Sequence, residues 1–141
     1  MHDPDELRRI MEERIPFNRV LGIRVAELAP GFARLKIPYR EELIGDQQRP
    51  ALHGGVISAL VDTCAGTACW TEIEAGDRVS TVDLRVDYLR PGRRETLVAE
   101  ARVIRMGNRV AVADVTVFHP DAPGELVASG KAVYNVARRQ D

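Results

Sequence analysis

The chain has 141 residues, of which 45% are hydrophobic and 29% charged, and its net charge is -1. That length fits one domain able to bury a core and leaves no room for a separate cofactor domain, while the composition excludes a disordered or fibrous chain. The near-neutral charge excludes a general binder of polyanions, so nucleic acid is not an expected partner.

Residues 3–14, DPDELRRIMEER, predict a short amphipathic helix: Asp3 caps it, Pro4 lies just inside, acids come early and arginine late, and Leu7, Ile10 and Met11 share a face. Pro16 is expected to end it, within an N-terminal helical segment over 1–21. IRVAELA and FARLKIPY then read as two strands joined by the turn signal Pro30-Gly31. EELIGDQQRPAL is expected to be a polar, irregular loop. From Gly54 to about Ile73 the composition turns helical, with Val56, Ile57, Ala59, Leu60, Val61, Ala65, Ala68 and Trp70 spread around most of the circumference. A helix apolar nearly all round is surrounded by protein, so a central element is predicted over about 54–73.

After AGD at 75–77, STVDLRVDYLRP, TLVAEARVIRM, NRVAVADVTVF and ELVASGKAVYNV each alternate apolar and polar residues. In the first, Val82, Leu84, Val86 and Tyr88 are expected on one face and Asp83, Arg85 and Asp87 on the other. PGRRE, GN and HPDAPG read as hairpin turns, which predicts a four-strand antiparallel meander. The fold class is therefore α+β, a curved antiparallel sheet around one long helix, with residues 1–141 as one domain.

Cys64 and Cys69 lie five apart without zinc-site spacing and would point in different directions on a helix, so two buried reduced thiols are expected. The N-terminus has no signal-type apolar stretch, and Ser58, Asp62, Thr63 and Thr67 interrupt the longest apolar run. A cytoplasmic protein with no membrane partner is predicted. Arginine dominates the cations, with Lys36 and Lys131 the two lysines. Such a bias fits either anion clamping or genomic composition.

Titratable candidates are few. His2 sits at a terminus expected to be disordered, His119 precedes Pro120 in a turn, and His53 opens the central helix. There is no nucleophile elbow, P-loop or dinucleotide fingerprint, and no metal-ligand spacing. His53-Gly54-Gly55 offers a helix N-terminus stripped of side chains, whose free N–H groups and positive dipole end suit a carbonyl oxygen that becomes negative. The alternative is that the glycines serve close packing alone. Asp62 is a carboxylate in an apolar run: it fits a general base or nucleophile of acyl chemistry with its pKa raised by burial, or a structural carboxylate paired with an amide or arginine. Gly54 and Asp62 are eight residues apart, roughly 12 Å along a helix, too far for both to touch one carbonyl group. Two copies with antiparallel helices would bring the Asp62 of one to the Gly54 of the other, so an obligate homodimer with two interfacial sites is predicted.

Gln47, then His53-Gly54-Gly55, then Asp62, in the frame QQRPALHGGVISALVD, resembles the hot-dog-fold acyl-CoA thioesterases of the phenylacetate-pathway type, and the order of elements fits that fold. The resemblance implies an acyl-CoA substrate, hydrolysis of a small acyl or aryl-acyl thioester, no cofactor beyond the CoA of the substrate, and a homodimer that can pair into a dimer of dimers. It implies Asp62 as base or nucleophile, the Gly54 N–H polarising the carbonyl beside Gly55, His53 fixing that turn, and Gln47 placing the thioester or water. It also implies Thr81 as a hydroxyl near the site and CoA phosphates on Arg90, Arg93, Arg94, Arg105 or Arg109. Some relatives carry a hydroxyl residue one turn after the acid, where this chain has Gly66. Phe17, Tyr39, Trp70, Tyr88 and Phe118 are candidate pocket walls or plain core. An acyl-thioester hydratase and a non-catalytic acyl-CoA binder remain alternatives on the same fold.

Overall fold

The computed structural model describes residues 2–140; Met1 and Asp141, the end points of the single-domain reading, lie outside the described residues. The Asp3 carboxylate accepts from the Asp5 N–H at 3.1 Å and Pro4 takes the first helical position, so α1 (Pro4–Arg9) starts where expected. It does not continue as regular helix to Arg14: Ile10–Arg14 widens into a π-helical turn, and Ile15 is extended at φ -94° and ψ 110°. A residue before proline is disfavoured in the α conformation, which accounts for the break. Pro16 then opens α2 (Pro16–Leu21) instead of closing the segment, because its fixed φ suits a first helical position as well as it forbids an interior one. The Asn18 amide donates to the Met11 carbonyl at 3.0 Å, and Glu12 accepts from the Val25 N–H at 2.7 Å, so the segment is tied to itself and to the sheet. His2 is not loose either, since its ring packs 5.2 Å from that of Trp70.

β1 (Arg24–Ala29) and β2 (Phe32–Ile37) form the expected hairpin, with Gly31 at φ 71° in its turn. The stretch expected to be irregular contains a 3-10 turn, Glu41–Leu43, and a small hairpin of β3 (Ile44–Asp46) and β4 (Ala51–Leu52). Asp46 makes that hairpin by accepting from the N–H groups of Gln48 and Arg49 at 3.0 and 3.3 Å. α3 spans Gly54–Trp70, stopping short of Ile73. There Thr71 donates to the Ala68 carbonyl and accepts from the Gly31 N–H, clamping the helix end to the β1–β2 turn.

β5 (Arg78–Tyr88), β6 (Leu97–Met106), β7 (Val110–Phe118) and β8 (Ala128–Ala137) follow, and the six long strands form one antiparallel sheet in the order β1-β2-β6-β7-β8-β5. The late strands are therefore not one meander. β6 gives one edge to β2 and the other to β7, so β5 pairs with β8 at the far edge, and PGRRE belongs to a crossing connection rather than a hairpin turn. Residues Leu89 and Arg90 hold that connection by donating to the Val127 carbonyl.

α3 lies on the curved sheet and buries Leu60, Val61, Cys64 and Ala65 completely against strands that contribute Leu35, Ala99, Ala113 and Ala132. Each large aliphatic side chain so enclosed stabilises the fold by about 1.5–3 kcal/mol. Gly130 of β8 lets the helix approach closely: a Cβ there would sit 2.7 Å from Val61 Cγ1. One stripe of α3 stays uncovered. Gly55 is exposed and Ser58, Ala59, Asp62 and Thr63 are half-buried, so the helix is not enclosed all round by its own chain as its composition suggested.

Candidate active site

At the start of α3, His53 is the N-cap at φ -60° and ψ 135°, and its Nδ1 accepts from the Gly55 N–H at 2.8 Å. The ring proton therefore sits on Nε2. The Val56 and Ile57 N–H groups both point at the His53 carbonyl, at 2.9 and 3.5 Å. Among the described residues the Gly54 N–H has no acceptor, so the turn offers one free donor at the positive end of the helix rather than several. Gly45 lies against this cap from β3, where a Cβ would be 2.8 Å from His53 Cα. Tyr88 closes the other side by donating from Oη to the Gly54 carbonyl at 3.1 Å. The cleft at Gly54 is lined by Leu52, Ile57, Tyr88, Leu89 and Arg90, and the Arg90 guanidinium donates to the Leu126 carbonyl at 2.9 Å.

Two helical turns on, Asp62 opens into a different cleft of about 260 Å³, walled by Met11, Ile15, Phe17, Trp70 and Val79. Its carboxylate is half-buried rather than enclosed as the apolar run suggested. Oδ1 accepts from Thr81 Oγ1 at 2.8 Å and lies 2.9 Å from Tyr134 Oη, which is also 2.5 Å from the Asp62 carbonyl. Its partners are hydroxyls: among the described residues no arginine or backbone amide pairs with the carboxylate, as a structural ion pair would require.

Thr81 reaches Asp62 because of a β-bulge. The β5–β8 register shifts between Thr81 and Asp83, so Val82 is the extra residue and is 66% exposed instead of sharing a face with Leu84, Val86 and Tyr88. A bulge reverses the alternation on either side of it, which turns Thr81 toward α3. Tyr134, 2% exposed on β8, is the site residue that sequence reasoning missed: alternation places it among core residues, and the only signal was a hydroxyl on an otherwise apolar strand face. Burial, and next the Asp62 charge, push its phenol upward, so it stays a proton donor.

The other expected site residues are dispersed. Gln47 sits in the β3–β4 turn and shares a third cleft with Tyr39, Glu42 and Arg94. Arg93 is engaged by Asp121 at 2.8 Å and Glu95 at 3.0 Å. Arg105 and Arg109 belong to the β6–β7 hairpin, at the end of the sheet opposite Tyr88 and Gly54. Of the candidate aromatic walls, Phe17 and Trp70 flank Asp62 and Tyr88 flanks Gly54, whereas Phe118 is core. Cys64 and Cys69 are free, buried thiols, each pushed up to about 12 by burial. Among the described residues no helix is long and apolar enough to cross a membrane, and no three His, Cys, Asp or Glu side chains are gathered as a metal ion would need.

A family model described as the thioesterase superfamily matches residues 50–124, the stretch that holds the Gly54 turn, Asp62, Thr81 and the β6–β7 hairpin. The chain is 38% identical over 135 residues to a medium/long-chain acyl-CoA thioesterase, YigI, of Escherichia coli, covering 86% of each chain. Among solved structures it is similar to a thioesterase family protein from Silicibacter pomeroyi, with a TM-score of 0.86 at 28% identity over 96% of this chain and 98% of that one. A Shewanella oneidensis protein related to the thioesterase superfamily gives a TM-score of 0.85 at 28% identity over 94% of each chain.

Proposed function

The chain belongs to the thioesterase superfamily, and on that premise we propose that it is an acyl-CoA thioesterase that works as a homodimer with two sites between its subunits. The observation that carries this reading is that one helix bears a free Gly54 N–H and a hydroxyl-held Asp62 in separate clefts. In the proposed dimer the thioester carbonyl oxygen accepts from the Gly54 N–H of one subunit. Asp62 of the other acts on the carbonyl carbon, by taking a proton from the attacking water or by direct attack. With water as nucleophile the C–O bond forms, the C–S bond breaks, and CoA leaves as its thiol with the proton that Asp62 took from water. With Asp62 as nucleophile a mixed anhydride forms as the C–S bond breaks, and the water that then hydrolyses the anhydride supplies the proton to the thiolate. Label found in Asp62 after a single turnover in ¹⁸O-labelled water marks direct attack, with water opening the anhydride at the Asp62 carbonyl. No metal or organic cofactor takes part in the proposed reaction.

Three features support the dimer. The uncovered stripe of α3 carries small residues at Gly55, Ser58 and Ala59 that let a second helix approach. β5 is an eleven-residue edge strand with one side unpaired, and Val82, Tyr88 and Leu89 are exposed along it, whereas the opposite edge, β1, is short and bulged. The eight-residue spacing of Gly54 and Asp62 calls for a second chain. A dimer of dimers and a cytoplasmic location, which suits the two free thiols, complete the proposal.

The HGG-x6-D frame and Gln47 support the phenylacetate-pathway type, with a small or aryl-acyl group as substrate. The apolar wall from Ile15 and Phe17 to Trp70, together with the name of the Escherichia coli relative, extends the proposed range to medium and long acyl chains. Arg90, beside Gly54, is the proposed first contact for CoA phosphates, ahead of Arg105 and Arg109. The test is thiol release by pure protein from short, long and aromatic acyl-CoAs, with crotonyl-CoA hydration assayed in parallel. Hydrolysis that Asp62→Asn lowers by orders of magnitude is expected; hydrolysis unchanged by that substitution overturns the role of Asp62, and hydration in place of hydrolysis overturns the thioesterase reading.

A further inference from the structure

We propose that Tyr134 is a positioning residue of the site: with Thr81 it holds Oδ1 of Asp62, so that Oδ2 is the oxygen presented to water and substrate. This rests on the proposed role of Asp62 and goes beyond it, since it assigns which oxygen works and what holds it there. Thr81 and Tyr134 are directly opposite each other across the β5–β8 ladder, and their hydroxyls converge on the same carboxylate oxygen, at 2.8 and 2.9 Å. Oδ2 has no partner among the described residues. A carboxylate on an open helix face would otherwise rotate among several orientations, and two donors on one oxygen remove that freedom.

The surroundings show why a tyrosine does this here. Tyr134 Oη lies 2.5 Å from the Asp62 carbonyl as well, so its single proton is shared between the main chain and the side chain of one residue. This ties the phenol to α3 independently of the carboxylate. One turn after Asp62 the helix has Gly66, and a Cβ there would stand 3.5 Å from both Cε1 and Oη of Tyr134. The phenol thus supplies from the sheet a hydroxyl that the helix does not carry at position 66. Burial of Tyr134 at 2% exposure keeps this donor in place, while Thr81 contributes the second from the rim of the cleft.

The experiment measures kcat and KM for Tyr134→Phe, Asp62→Asn and the double variant with one acyl-CoA that the wild-type protein hydrolyses. Loss of a hydrogen bond to a charged group is expected to lower kcat roughly 10-fold to 100-fold with KM within about twofold, and to add nothing once Asp62 is Asn. Wild-type kcat in Tyr134→Phe with a strongly impaired Asp62→Asn overturns the positioning role and leaves the thioesterase reading standing. An equal fractional loss in both backgrounds makes Tyr134 merely structural and also overturns it. Full activity in Asp62→Asn sinks the proposed role of Asp62, on which this inference rests. If Tyr134→Phe does not fold, 3-fluorotyrosine placed at all three tyrosines reads the same bond by ¹⁹F NMR. The Tyr134 signal, assigned with Tyr39→Phe and Tyr88→Phe, is expected to move on Asp62→Asn, and a Tyr134 signal that does not move refutes the proposal.

Discussion

Gly55→Ala separates the role of the His53 cap from the stability of the helix it caps. An added Cβ would stand 2.9 Å from His53 Nδ1 and 3.2 Å from Cε1, closer than such atoms approach, so the imidazole must swing out and release the Gly55 N–H. Losing a side-chain N-cap costs about 1 kcal/mol, while glycine to alanine inside a helix gains up to about 1 kcal/mol. The two nearly cancel. Since 1 kcal/mol moves Tm by only a few degrees in a domain of this size, the melting temperature is expected to stay within about 5 °C of wild type. Activity is expected to respond differently, because the His53 bond fixes the turn that aims the Gly54 N–H. Removing one oxyanion donor outright costs about 10²- to 10³-fold in kcat, so misdirecting it is expected to cost at least about 10-fold in kcat/KM. Thiol release from an acyl-CoA and a thermal melt on the same sample give both numbers. Wild-type kcat/KM, or a Tm lowered by more than about 10 °C, refutes the assignment of His53 as the clamp of a catalytic turn.

Thr81→Val removes one of the two donors to Oδ1 from an exposed position, so kcat is expected to fall by about 10-fold or less with Tm unchanged, as steady-state kinetics will show. Deleting Val82 removes the extra residue of the bulge but leaves Thr81 next to Asp83 and on the face opposite to it, still toward α3, so folded protein that keeps its hydrolysis is expected by circular dichroism and thiol release. The Asp77 carboxyl lies below its ordinary value of 3.8, chiefly because the Arg139 N–H donates to it, with further bonds from the Glu74 N–H and Arg138. A lowered folded-state value gives stability that is present above pH 4 and lost as pH falls through that value. The Tm of wild type is therefore expected to drop with acid more steeply than that of Asp77→Asn, in melts from pH 6 to pH 3. Cys64 and Cys69, with thiols near 12, are expected to resist a thiol reagent at neutral pH in the native protein and to react once it is unfolded.

Much of the fold was legible in the sequence because it depends on local rules. Asp3 and Pro4 mark one helix start, Pro30-Gly31 marks the first turn, and the alternation in the four late segments marks real strands. What was not legible depends on competition between distant segments. Nothing local tells β5 that β2 will occupy the edge of β6, so a meander is the natural reading and the crossing connection appears only in three dimensions. Pro16 is ambiguous by nature, since the same ring ends one helix and begins the next. At the site, the spacing of Gly54 and Asp62 was readable from helix geometry alone, and it is the ground on which a second chain is proposed to complete the site. The bulge at Val82 and the reach of Tyr134 were not: an unbroken period of two hides an extra residue, and a strand tyrosine looks like core until its hydroxyl is seen to face α3.

The account turns on a site shared between two copies of the chain, and mixed dimers test it most directly. Asp62→Ala removes one half-site. Gly54→Pro removes the other at small structural cost, because proline is favoured at the first helical position and His53 already has the extended backbone that a residue before proline prefers. Each variant alone is expected to be inactive. After the two are exchanged in equal amounts, half of the dimers are mixed and each has one intact site, so about a quarter of wild-type thioester hydrolysis is expected to return. A mixture as inactive as its components contradicts the shared site.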